Sequence, residues 1–169
     1  MICTFFGHRN TPESIQPILE KTICELIELR GVDTFYVGDK GSFDNMVLKT
    51  LRSLREKYPQ MKYGYIPSYQ PIERNEPYQN YDDAFFPEEV LRSPRKYAIS
   101  RRNYWLVNQA DIVVTYVTGI GNSRNFKELA IKKGKEVIEL SQMPFFTDVT
   151  FSLTGESPQG KPFMRRSRV

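Results

Sequence analysis

Three short segments combine glycines with polar side chains in the way a phosphate or other anion site requires. They are GHRN (residues 7–10), GDKGSFD (residues 38–44) and TGIGNSRNFKE (residues 118–128). The first offers Gly7, His8 and Arg9, the second Gly38, Asp39, Gly41 and Ser42. The third offers Thr118, Gly119, Gly121, Asn122, Ser123 and Arg124. Each leads into a segment with helical spacing, and the unpaired N–H groups at a helix start attract anions. Asp39 and Ser42 suit ribose hydroxyls, whereas Asp44 reads as a first-turn residue favoured by the helix dipole. His8 reads either as a ligand group or as a loop cap. None of the segments is a GxxxxGK[ST] phosphate loop, and GIGNSR lacks the third glycine of GxGxxG, so Gly119 and Gly121 are also compatible with a plain tight turn.

These segments need a scaffold to bring them together. Residues 2–6 (ICTFF) form a short apolar run that reads as a buried strand. A helix follows to Arg30, with Ser14 as its N-cap, Pro17 in its first turn and Gly31 as its stop. Residues 33–38 are a second strand, 43–57 a second amphipathic helix and 62–67 a third strand. Residues 68–95 hold four prolines with Tyr69, Tyr78, Tyr81, Phe85 and Phe86, and read as a long connection without structure of its own. A helix over 95–108, with Tyr104 and Trp105 as core residues, precedes a β-branched strand at 111–117. Residues 124–133 form a further helix and 136–140 a fifth strand.

This alternation predicts an α/β fold, a Rossmann-like doubly wound domain with a mainly parallel five-stranded sheet in the order 3-2-1-4-5 and helices on both faces. Residues 145–153 alternate and suggest an additional edge strand, so that the domain covers residues 1–153 and residues 154–169 form a basic tail. In such sheets ligands bind beyond the carboxyl ends of the strands, where the strand order reverses. All three glycine-bearing segments fall there.

Composition narrows the function further. The chain has 169 residues, 40% of them hydrophobic, and a single histidine, which excludes any site needing two. No metal or cofactor is expected. Cys3 and Cys24 form no CxxC pair and read as reduced thiols. The start, MICTFFGHRN, has no basic region before its apolar run, and no apolar stretch approaches 18 residues, so neither a signal peptide nor a membrane span is expected and the location reads as cytoplasmic. The net charge is +4, of which the four basic residues and one acidic residue of 154–169 account for +3, leaving +1 for the rest. A nearly neutral body speaks against a nucleic-acid partner, which would need a basic stripe.

The motifs GHRN, FYVGDKGSFD, RRNYWLVNQADIVVTYV and KELAIKKGKEVIEL together resemble the SLOG superfamily (the Smf/DprA–LOG group of Rossmann-like nucleotide binders), in a bacterial and phage branch with an early GHR. The resemblance covers residues 1–141. In its enzymatic members, the cytokinin-activating phosphoribohydrolases, a GGxGTxxE loop binds phosphate and sets a glutamate at the ribose. Here the matching stretch runs from Gly121 to Glu128, with Asn122, Arg124 and Asn125 in place of two glycines and the threonine. An arginine preceding the Ala-Asp pair of the next strand is matched by Arg102 before Ala110-Asp111.

The resemblance implies Glu128 and Arg102 as catalytic residues if the protein is an N-glycosidase. The carboxylate would stabilise an oxocarbenium-like centre or activate water, and the cation would hold phosphate. Glu128 is also spaced for a surface pair with Lys132, and Arg102 for a solvated run with Arg101. The leading expectation is a protein that binds a nucleotide or a nucleotide-derived, ADP-ribose-like molecule as a binder or sensor. A nucleotide N-glycosidase is the second and single-stranded DNA binding the third. Superfamily relatives also imply a homodimer.

Overall fold

The computed structural model describes residues 1–69 and 84–143. The expected edge strand at 145–153, the tail, Tyr78 and Tyr81 lie outside the described residues. The sheet consists of β1 (Ile2–Gly7), β2 (Thr34–Val37), β3 (Lys62–Tyr65), β4 (Ile112–Tyr116) and β5 (Glu136–Glu139), in the order β3-β2-β1-β4-β5. All four pairings are parallel, and they set Thr4 of β1 opposite Tyr36 of β2 and Val113 of β4. The expected architecture and strand order are therefore the observed ones.

Strand side chains alternate between faces, and here both faces are covered, so β1 and β4 are apolar almost throughout. Phe5, Ile112 and Val114 pack on one side with Leu19, Ile23 and Leu26 of α1 (Gln16–Arg30) and Val47 and Leu51 of α2 (Ser42–Leu54). Phe6 and Val113 pack on the other with Trp105 and Leu106 of the later helix α4 (Ala98–Gln109) and Phe126 of α5 (Asn122–Lys132). Among the described residues, no helix is long and apolar enough to cross a membrane.

Four local expectations need correction. Ser14 does not cap α1: residues Glu13–Ile15 form a 3-10 turn closed by the Ile15 N–H on the Pro12 carbonyl, and the α-helix starts at Gln16 with no side-chain cap. Pro17 supplies no N–H, so the chain reaches helical geometry through the tighter turn. The connection 68–95 is not wholly irregular. It contains α3 (Glu88–Leu91), which buries Val90, and Ala84 bridges to Tyr65 in the manner of a further parallel strand. Tyr104 is 49% exposed and meets Phe126 edge to face, while Trp105 is buried. The buried face of α4 takes in Trp105, Leu106 and Val107, and Tyr104 lies at its margin. Finally, α5 begins at Asn122, one residue after Gly121, and so includes Asn122 and Ser123 in its first turn.

Candidate functional site

The carboxyl ends of β1 and β2 open into a cleft of about 240 Å³. Gly7, His8 and Arg9 line it from the end of β1, and Gly38 and Lys40 from the end of β2. Asp44 of α2, Ile99, Arg102 and Asn103 of α4, and Asn122 and Ser123 of α5 complete it. A recess thus lies at the carboxyl end of β1, the strand at which the sheet order reverses, and seven of the fifteen sequence-identified site residues border it.

The three glycine-bearing loops are tied to one another by side chains. The His8 imidazole accepts the backbone N–H groups of Thr118 (2.9 Å) and Gly119 (3.2 Å) through Nε2. Ser123 donates its hydroxyl to the Gly7 carbonyl. Ser42 donates its N–H to the Arg9 carbonyl and accepts the Thr11 N–H on its hydroxyl oxygen. Gly41, at φ 127°, lets the second loop cross the first: a β-carbon there would lie 2.8 Å from the Arg9 α-carbon. His8, Ser42 and Ser123 therefore hold the mouth of the cleft in shape.

Gly7 shows the same close approach from below. A β-carbon on it would overlap the Phe43 ring, which is buried at the start of α2 and cannot swing away. Gly7→Ala is expected to lower stability by about 1–3 kcal/mol through overpacking, read as a lower urea midpoint with an unchanged slope. An unaltered midpoint would mean that β1 and α2 are not held at this spacing.

Arg102 is the most buried cation of the site, 2% exposed. Its guanidinium lies against Gly38, where any β-carbon would collide with it, and it donates from Nη1 to the Ile66 carbonyl (3.1 Å). Nη1 also stands 3.2 Å from Asp39 Oδ1. Asp39 is itself buried and accepts from the Ser68 N–H and hydroxyl, with the Lys40 ammonium at 3.1 Å. Its carboxylate is thus occupied in holding Arg102 and Lys40, a different use from the ribose contact that its loop position suggested. The Arg102 Nε–H has no partner among the described residues, although it is buried.

Asp44, read from the sequence as a first-turn helix residue, is a carboxyl of the cleft. Its side chain lines the cleft, is 8% exposed, and accepts the Lys40 N–H at 2.8 Å. Burial pushes its carboxyl up to about 6, against the opposing pull of Arg102 and the Lys40 N–H. A buried carboxyl in a cleft, beside a specific cation, is the pattern that marks working acid–base groups. No sequence signal separates it from an ordinary first-turn aspartate, because the groups that surround it arrive from β2's loop and from α4. Lys40, Ile99 and Asn103 are likewise cleft residues that the sequence did not single out.

Arg102 and Glu128 do not meet. Glu128 lines a separate recess with Val117, Thr118, Gly119, Arg124 and Lys127, outside the cleft that holds Arg102. It accepts from Arg124 Nε at 2.9 Å, and both side chains are more than half exposed. Arg124 is the helical partner, in place of the expected Lys132. Gly119 and Gly121 have no neighbours that a β-carbon would meet. Among the described residues, no group of three or more His, Cys, Asp or Glu is placed to hold a metal ion. In comparisons with known proteins, no family model matches the chain and no curated protein is significantly similar to it.

Proposed function

We propose that the protein binds a nucleotide or nucleotide-derived small molecule of the ADP-ribose type in the cleft at the ends of β1 and β2, as a cytoplasmic binder or sensor related to the SLOG superfamily. The observation that carries this reading is the buried, unpartnered Nε–H of Arg102, a residue that borders the recess at the end of β1, where the strand order reverses. A buried donor without a partner costs about 1–3 kcal/mol, and an oxygen of a bound anion relieves that cost. Arg9 and Lys40 add positive charge on the same walls.

The volume limits what is enclosed. Pockets that take drug-sized ligands run to roughly 300–1,000 Å³, so a cleft of about 240 Å³ holds the phosphate and sugar end of a nucleotide. A second recess of about 200 Å³, bordered by Ser68, Tyr69, Ser93 and Arg95, offers a place for the remainder. Lys40 of the first cleft lies 5.3 Å over the ring of Tyr69, which links the two. The separation of Glu128 from Arg102, and its exposed pairing with Arg124, favour binding over glycosidic hydrolysis.

The test is calorimetric titration with AMP, NAD and ADP-ribose, followed by chromatography of each mixture for free base. Saturable binding of at least one compound, with the base still attached, is the expected result. Failure of all three to bind removes the proposal. Release of base that stops in Glu128→Gln would replace it with the glycosidase reading.

A further inference from the structure

We infer that the anchoring group of the ligand is a phosphate held between the Nε–H of Arg102 and the carboxyl group of Asp44 in its protonated form, so that binding takes up a proton from solution. This rests on the nucleotide reading above and adds the part of the ligand that is recognised and the proton that accompanies it.

The geometry leads to this assignment through Gly38. A β-carbon on Gly38 would collide with Arg102 Nη1, lie 2.8 Å from its Cζ and 3.0 Å from Asp44 Oδ2. The guanidinium and the carboxyl therefore crowd the same side of one glycine, and both border the same small cleft. An anion that enters this cleft of about 240 Å³ lies between walls that include both Arg102 and Asp44. Two negative groups in a space of that size cannot both keep full charge, and the buried one takes the proton.

The remaining charges facing Asp44 do not reverse this. Arg102 comes from α4, and Lys40 and Asp39 come from the loop after β2. His8 and Arg9 border the cleft from the loop after β1. Asp39 is already occupied by Arg102, Lys40 and Ser68, so it offers phosphate no donor and adds negative charge behind Asp44. With Asp44 ionised, Arg102, Lys40 and Arg9 outweigh Asp39 and Asp44 by one positive charge in the free protein. A phosphate dianion reverses that excess, and protonation of Asp44 turns a repelling oxygen into an O–H donor to the phosphate. The proton comes from the solvent, and no covalent bond within the ligand changes.

Titration calorimetry with AMP, ribose 5-phosphate and adenosine at pH 7.5, in two buffers of different ionisation enthalpy, reads the proton directly. For AMP and ribose 5-phosphate the wild-type protein is expected to take up close to one proton more per site than Asp44→Asn. Adenosine, lacking the phosphate, should bind at least tenfold more weakly and without uptake. The ligand's own second ionisation, near pH 6, is common to both proteins and cancels in the difference.

Asparagine presents the acceptor and donor pair of a protonated carboxyl, so Asp44→Asn should bind AMP more tightly at pH 7.5. The gain reaches at most roughly 30-fold, the tenfold per pH unit between 7.5 and about 6. AMP binding by the wild type without proton uptake overturns the inference and leaves the nucleotide reading standing. So does uptake that persists in Asp44→Asn, or adenosine binding equal to that of AMP. Binding of none of the three overturns both.

Discussion

Arg102→Ala is expected to destabilise the fold by about 3–5 kcal/mol and to abolish phosphate binding. The large effect comes from what the substitution leaves behind. Asp39 stays buried, with Ser68 and the Lys40 ammonium as its remaining partners, and the Ile66 carbonyl loses its donor. Breaking one side of a buried pair strands the other charge, whereas replacing both sides by apolar groups of similar volume is close to neutral.

The pair of variants Arg102→Met and Asp39→Leu with Arg102→Met separates these effects. The single change should lose most of what alanine loses. The double change should recover at least half of the loss, while binding remains absent. Urea unfolding measures the first quantity and AMP titration the second. A loss below about 1 kcal/mol in Arg102→Ala would show that water reaches Asp39 and that the pair is only superficially buried.

The second large effect is a pH dependence of stability centred on Asp44. Its carboxyl stands at about 6 in the folded protein, above the ordinary 3.8. Below about pH 3 the group is protonated in both states and the folded protein keeps its full stability. As pH rises towards 6 the unfolded chain gives up this proton and the folded one retains it, so stability falls. Above about 6 the loss is complete, at about 3 kcal/mol by the 1.36 kcal/mol carried by each pKa unit.

Asp44→Asn removes this titration and keeps an oxygen for the Lys40 N–H. Relative to wild type, the variant should be about 2.4 kcal/mol more favourable at pH 8 than at pH 4. Urea denaturation at the two values gives the comparison, in which all other titrating groups cancel. A difference that does not change with pH would show that Asp44 ionises as a solvated carboxylate does.

Both predictions concern residues whose setting differs in how far it could be read from the chain. The strands were legible because apolar and β-branched runs such as ICTFF and IVVTY admit burial on both faces and little else. The right-handed crossover rule then restricts how five such strands can be ordered. The helix stops at Gly31 and Gly134 were legible because glycine adopts the left-handed turn at low cost, and both have positive φ. Helix starts were less so. Ser14 has the chemistry of a cap, but Pro12 and Pro17 decide the geometry around it.

The cleft divides along the same line. By itself, the sequence determined that glycine-bearing loops at the ends of the first, second and fourth strands share one edge of a parallel sheet, because alternation and strand order follow from local pattern and chain connectivity. It could not determine which polar groups within those loops are spent on structure and which stay free. Asp39, Ser42 and His8 are held by Arg102, Thr11 and the loop after β4. Glu128 turns outward to Arg124, and Asp44 turns inward beside an arginine 58 residues away in the chain. Ionisation, burial and hydrogen bonding depend on the few ångströms around each group. Those neighbours come from segments that only tertiary packing brings together, so which carboxyl faces the cleft was decided there.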